Sequence, residues 1–149
     1  MDTNSKNRVT LGCLETVDLP SLNLTGVVAK IDTGALTGAL HCEDIRVTRR
    51  VSGERILRFR PLDSTQPLYK TTDFSARQVI SASGHRTKRY IIPVTLRIQG
   101  VLYDSFIGLT NRKTMGRPML IGRSFIRRTN MLVDVHINED KDDEKEMVL

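Results

Sequence analysis

The feature of this sequence that most constrains its fold is a series of short apolar runs separated by turn residues. The runs are rich in Val, Ile, Thr, Phe and Tyr, which favour strands, and they cover residues 9–14, 24–31, 39–47, 55–60, 74–80, 90–98, 101–109 and 131–137. Turn signals such as Ser52-Gly53 and Gln99-Gly100 stand between them. Many short strands without long periodic helices predict an all-β fold that closes as a barrel or a sandwich.

Two segments depart from the strand pattern. Residues 122–129 mix Phe125 and Ile126 with three arginines, and they predict one short helix near the C-terminal end. Residues 61–72 contain Pro61, Asp63 and Pro67, and they predict a loop that makes an excursion over the surface.

Length and composition are typical of a single globular domain. The chain has 149 residues, of which 39% are hydrophobic and 27% charged. No apolar run approaches the roughly 20 residues that span a bilayer. The first residues lack the apolar segment of a signal peptide, so we expect a cytoplasmic protein without a membrane partner. Cys13 and Cys42 are too few for a disulfide framework and fit reduced thiols, while a single bridge between them stays an alternative.

Charge is distributed unevenly along the chain. Residues 139–146 hold six acidic residues and two lysines, net −4, and we interpret residues 139–149 as an acidic, disordered tail after a domain at residues 1–138. The rest of the chain carries 21 basic and 11 acidic residues, net +10, a charge that suits nucleic acid, an anionic membrane or an acidic peptide as the partner. Aromatic residues make up only 5% and Trp is absent, so nucleic acid is not the expected partner.

The candidate chemistry concentrates at Asp32-Thr33-Gly34, directly after the apolar run 24–31. A carboxylate placed after a buried strand is costly unless it is hydrogen-bonded or paired. The Thr33 hydroxyl can lock a turn, and Gly34 permits another backbone to approach closely. On its own the tripeptide also suits an ordinary strand-to-turn cap, so its context must decide.

The order of segments around the tripeptide resembles that of the retropepsins, which are aspartic proteases. An Asp-Thr-Gly loop is followed by a hairpin with the small tip Ser83-Gly84-His85, by two strands, by Leu120-Ile121-Gly122-Arg123 and by the short helix. The correspondence covers residues 24–137. It implies a retropepsin-like closed β-barrel subunit with one short C-terminal helix.

Within that superfamily the chain is similar to the bacterial family labelled "ATP-dependent zinc protease", now regarded as retropepsin-like and including a member associated with ribosomal-protein glutamate ligases. Five blocks carry the resemblance in the family's order: residues 29–35, 39–41, 89–92, 109–115 and 119–123. The sequence departs from the family at Leu36, usually polar, and at Gly38, usually Ser. Retroviral enzymes place a carboxylate at the position of Leu36, where it pairs with the arginine equivalent to Arg123. Leucine cannot form that pair, so the role of Arg123 stays open.

The resemblance implies an aspartic peptidase that hydrolyses peptide bonds with two carboxylates sharing one proton around a water molecule. One chain supplies only Asp32, so a homodimer is implied, in which each copy contributes one aspartate. The implied catalytic residues are Asp32, Thr33 and Gly34. The implied substrate-binding residues, in the loop, in the flap hairpin and before the helix, are Ala35, Gly84, His85, Tyr90 and Arg123. Tyr90 also suits a plain strand aromatic.

Neither a metal nor another cofactor is predicted. The sequence contains no His-Glu-x-x-His and no Walker-type phosphate loop. His41 and Cys42 are adjacent, and neighbouring strand residues point to opposite faces, so we expect His41 to be a hydrogen-bonded polar group near the active loop.

Two classes of function therefore remain. The first is an active homodimeric aspartic peptidase whose peptide substrate is acidic or rich in glutamate. The second is a non-catalytic dimeric peptide-binding or assembly protein that keeps the fold. An intact Asp32-Thr33-Gly34 favours catalysis, whereas Leu36 and Gly38 allow a degenerate groove.

Overall fold

The computed structural model describes residues 7–80, 83–112 and 116–140. In these residues the strands are β1 (Thr10–Leu11), β2 (Leu14–Leu19), β3 (Leu24–Asp32), β4 (Ala39–Arg49), β5 (Arg55–Pro61), β6 (Tyr69–Thr71), β7 (Ser75–Ile80), β8 (Arg86–Ile98), β9 (Val101–Thr110), β10 (Met119–Gly122) and β11 (Leu132–Val133). The helix α1 spans Arg123–Arg128, inside the segment predicted to be helical. The prediction of an all-β fold with one short helix is confirmed.

Six strands close into a ring, although the ring is not a regular barrel. The order is β10-β3-β2-β8-β9-β4, and β10 pairs again with β4 to complete the circuit. Strands β5 and β6 extend the sheet beyond β4, and β7 pairs with β8 to form the predicted hairpin. Closure removes most of the free edges that would otherwise invite intermolecular pairing.

The position of β10 organises the candidate site. It lies between β3 and β4, parallel to the first and antiparallel to the second. Gly122 is the register partner of Asp32, and Leu120 is the partner of Ala39. The segment that connects β3 to β4 therefore crosses the end of β10, which places the Asp-Thr-Gly loop at the mouth of the ring.

The hydrophobic core fills the ring and fixes these strands in register. Leu40, Phe59 and Met119 are almost completely buried, and the first four residues of β4 are all buried because strands flank them on both sides. In α1, Phe125 and Ile126 turn inward while arginines occupy the outer positions. The loop thus rests on rigid, well-packed elements.

Several strand boundaries differ from the sequence-based expectation. The run 9–14 gives only the two-residue β1, and β2 extends across Leu14–Leu19, which includes acidic residues. Glu15 on β2 is buried because its carboxylate accepts hydrogen bonds from the Gly12 N–H and the Gln99 side-chain amide. The predicted surface loop 61–72 contains β6, which pairs with β5. Within the predicted run 131–137, only the two residues of β11 form a strand, and this strand pairs with β1 in parallel.

The described chain continues two residues beyond the predicted domain end at 138. Asp140 is buried, and its carboxylate accepts a hydrogen bond of 2.7 Å from Arg117 Nη2. Asp140, within the predicted tail, therefore packs against the rest of the chain, whereas residues 141–149 of that tail lie outside the described residues. No helix in the described part of the chain is both long and apolar enough to cross a membrane.

Candidate active site

Asp32 ends β3 and begins a tight loop. Its Oδ1 accepts a hydrogen bond of 2.9 Å from the Gly34 N–H, and its carbonyl accepts one of 3.2 Å from the Ala35 N–H. In the described residues the carboxylate has this one hydrogen-bond donor, and its charge acts on Arg112. The loop therefore presents a carboxylate that is oriented by its own backbone but lacks a second carboxylate partner.

The start of α1 holds the loop from below. The N–H groups of Arg123 and Ser124 donate to the carbonyls of Ala35 and Leu36, at 2.8 and 3.0 Å. These N–H groups at the helix start have no partner within the helix, and the loop satisfies them. The Arg123 guanidinium donates to the Gly34 carbonyl at 2.9 Å. Arg123, predicted to bind substrate, is therefore bound to the loop itself, and it holds the loop without a carboxylate at position 36.

Within the described residues, the loop makes a close backbone approach at Gly122. A Cβ on Gly122 would lie 2.7 Å from the Thr37 carbonyl carbon and 2.9 Å from the Ala35 oxygen. A Cβ on Gly34 would meet only Asp32 Oδ1, at 3.1 Å. In the described residues, Gly34 therefore lets its N–H reach the carboxylate, whereas Gly122 lets β10 pass under the loop. Approach of a substrate backbone to Gly34 stays a prediction.

The predicted flap residues lie on the β7–β8 hairpin, separate in sequence from the loop. Gly84 and His85 are exposed near its tip, and Gly84 has φ +82°. This left-handed conformation favours glycine, so alanine at this position would be strained. Tyr90 lies near the base, where its ring packs edge-on against Phe74 at 5.9 Å between centroids. This contact favours the plain strand-aromatic interpretation of Tyr90.

The structure adds a basic cluster that motif reasoning did not find. Arg112 is buried, and its backbone N–H donates a hydrogen bond of 2.8 Å to Nδ1 of His41. Its side-chain Nε donates a hydrogen bond of 3.2 Å to the Arg117 carbonyl. His41 is thus a hydrogen-bonded polar group beside the loop, as expected. Arg89 lies across Gly108, where a Cβ would come within 2.6 Å of its Cδ. The run 86–89 was visible in the sequence as a basic cluster, and Arg112 lies in the block 109–115 that carries the family resemblance, but neither was predicted as a site residue for its charge.

A cavity of about 370 Å³ lies behind the loop. Its lining includes Thr37, Gly38, Leu120 and Gly122, together with Phe125 from α1. Asp32 is not among the lining residues, so this cavity is distinct from a groove over the carboxylate.

Metal-binding side chains are dispersed in the described ranges. No three residues of the His, Cys, Asp and Glu types come together in residues 7–80, 83–112 and 116–140. Burial raises the pKa of the Cys42 thiol to about 12, which disfavours the thiolate that zinc binds.

Comparison with curated proteins finds relatives that are considerably longer than this chain. Two Shewanella proteins named "Probable alpha-L-glutamate ligase", from S. pealeana and S. halifaxensis, are each 30% identical over 124 residues. The match covers 80% of this chain and 27% of each relative. The chain thus spans about a quarter of the length of these relatives.

Comparison with solved structures and family models identifies the fold and the family. A Legionella pneumophila protein of unknown function is 28% identical, with a TM-score of 0.65, over 88% of this chain and 96% of that one. A family model described as retropepsin-like aspartic endopeptidase RimB matches residues 10–144. These matches do not carry the zinc-protease label. The chain belongs to the RimB-like family of retropepsin-like aspartic endopeptidases.

Proposed function

We propose that this protein is a homodimeric aspartic peptidase that cleaves acidic or glutamate-rich peptides. The observation that carries the proposal is the loop geometry. Asp32 sits at the open mouth of the ring, held by the Gly34 N–H while β10 and α1 fix the loop from below. A carboxylate held in this way is suited to activate water, provided that a second carboxylate shares its proton.

A second copy of the chain is the natural source of that carboxylate. Two like charges at close distance cannot both ionise, so one Asp32 acts as base and the other as acid. Thr33 is exposed, and its side chain makes no hydrogen bond within the described ranges, which leaves the hydroxyl available to a partner loop. Leu36 is 48% exposed on the same loop. These features suit an isologous interface across the loop.

The substrate class follows from charge and from the relatives. The body of the chain is strongly basic, which attracts acidic peptides over a distance of about one Debye length. The matched region lies within proteins named as glutamate ligases. A peptidase domain of this family would suit a peptide that bears glutamate residues.

Peptide hydrolysis by the wild-type protein tests the proposed function directly. The protein is incubated with a library that contains acidic, neutral and basic peptides, and new termini are identified by mass spectrometry. Hydrolysis concentrated in the acidic peptides supports the proposal. Binding of acidic peptides without any hydrolysis would favour the non-catalytic binding protein instead.

The dimer makes a separate prediction. Because one chain supplies a single catalytic aspartate, we expect sedimentation equilibrium to give a dimer at micromolar concentrations. Leu36→Asp should shift the equilibrium toward monomer, because it places two like charges where the loops meet. Val51→Asp is the matched control, since Val51 is fully exposed on the β4–β5 turn. A wild-type protein that stays monomeric at high concentration would contradict the shared site.

A further inference from the structure

We propose that Arg89 and Arg112 form a subsite beside Asp32 that binds a substrate carboxylate, so that the bonds cleaved adjoin a glutamate or aspartate residue. The inference rests on the proposed peptidase function and assigns its selectivity to two named side chains. General attraction by a basic surface, in contrast, would not depend on any particular arginine.

Arg112 is buried and held in place beside the candidate loop. The residue is only 9% exposed, and its backbone N–H and its Nε are held by His41 and the Arg117 carbonyl. These two anchors come from β4 and from the segment before β10, the elements that carry the catalytic loop. The guanidinium is therefore fixed relative to Asp32 and does not sweep through solvent as a surface arginine would.

Arg89 lies across the sheet next to the end of the candidate loop. Its stem lies against Gly108, whose N–H donates to the Gly38 carbonyl at the end of the loop, at 3.1 Å. The missing side chain at Gly108 gives the arginine room to lie across the sheet. In the β7–β8 register Arg89 faces Arg77, which is a like-charge pair directly across two strands. Such pairs are destabilising, so another role for the charge is indicated.

The charges of Arg89 and Arg112 are incompletely balanced in the described residues. In the described ranges Arg89 and Arg112 make no salt bridge to a side-chain carboxylate, and Asp32 is the acidic neighbour of Arg112. Burial lowers the pKa of Arg112, the charge of Arg89 lowers it further, and Asp32 acts in the opposite direction. The charge of Arg112 is thus opposed by Arg89 and favoured by Asp32. Burying a charge that is incompletely compensated is unfavourable. A further anion at this point would balance the site.

The chemistry of the site favours a carboxylate as that anion. The planar guanidinium matches a carboxylate through two parallel hydrogen bonds. A phosphate matches as well, but its second negative charge would lie beside Asp32 and would be repelled more strongly. The bound group is therefore assigned as an acidic side chain of the peptide.

The test compares two peptides that differ only by Glu or Gln at one position, with kcat/KM measured for each. We expect wild-type protein to prefer the Glu peptide by about tenfold or more, the scale of a charged hydrogen bond. Arg89→Gln and Arg112→Gln should each bring the ratio of the two rates toward one. The control is Arg46→Gln, which removes the same charge from an exposed position on β4.

The possible outcomes separate this inference from the proposed function. Equal cleavage of both peptides by wild-type protein overturns the subsite while the peptidase stands. If Arg46→Gln loses the preference for the Glu peptide to the same extent, the preference comes from general attraction by the basic surface. That result would also overturn the subsite. If Arg112→Gln does not fold, the result for Arg89→Gln decides. If no peptide is cleaved, the ratio of affinities for the two peptides, measured by fluorescence anisotropy in the same four proteins, decides in the same way.

Discussion

Asp32→Asn is expected to lower peptide hydrolysis by about 10²–10⁴-fold, the contribution of a positioned acid–base group. The amide keeps the shape of the carboxylate, and its oxygen can still accept the Gly34 N–H, so the fold should be unchanged. An amide cannot share a proton with a second aspartate or take one from water. The loss should therefore appear in kcat, measured by the release of fluorescent peptide, with an unaltered melting temperature.

The control for this variant is Asp104→Asn, which changes an exposed carboxylate on β9 in the same way. Its activity should equal that of wild type. Dialysis of wild-type protein against a strong chelator should likewise leave the rate unchanged, because two carboxylates carry the proposed chemistry. Full activity in Asp32→Asn would remove the proposed mechanism, and loss of activity on chelation would point to a metal enzyme.

Gly122→Ala is expected to reduce activity by about 10²-fold, the effect of moving a catalytic group by roughly 1 Å. The residue has φ −91°, so alanine is acceptable to its own backbone. The new Cβ would, however, lie within 3 Å of three backbone atoms, which belong to Thr37, Ala35 and Leu36. The loop must shift away from β10, and Asp32 shifts with it. Such overpacking should also lower the free energy of unfolding by about 1–3 kcal/mol.

The matched control is Gly100→Ala, on the β8–β9 turn. Gly100 has φ +82° with no atom within 4 Å of a Cβ, so alanine there introduces backbone strain without a clash. It should lower the free energy of unfolding by about 1 kcal/mol and leave kcat unchanged. Urea denaturation and peptide hydrolysis are measured on both variants. If Gly122→Ala retains full activity, the packing of β10 beneath the loop does not position Asp32.

The strands that were predicted well are those whose own sequence carries the signal. In β9 the residues alternate from Leu102 to Ile107 between exposed and more buried positions, as the period of two requires. Strand β10 and the three-residue β6 were missed as strands because each depends on its neighbours. Short segments acquire strand geometry from the partners that supply their hydrogen bonds, and those partners are distant in sequence.

In the candidate site, too, the residues that share a local motif could be predicted, and those brought together by distant contacts could not. Asp32, Thr33 and Gly34 are adjacent, so a motif could identify them, and the resemblance to retropepsins predicted the helix that follows Gly122. The basic cluster could not be predicted in this way. Arg112 lies 80 positions from Asp32, and its position is fixed by His41 and the Arg117 carbonyl. Neither contact leaves a pattern in the linear sequence.

The sequence by itself determined the all-β class, the short helix and the loop that carries the carboxylate, because propensity, alternation and turn chemistry act between near neighbours. Only the tertiary structure decided that β10 passes between β3 and β4, that Gly122 is the glycine packed beneath the loop, and that Arg112 is held by His41 and the Arg117 carbonyl. The physical reason is that these arrangements are set by long-range strand register and side-chain packing. The contacts that stabilise these arrangements form only when the ring has closed.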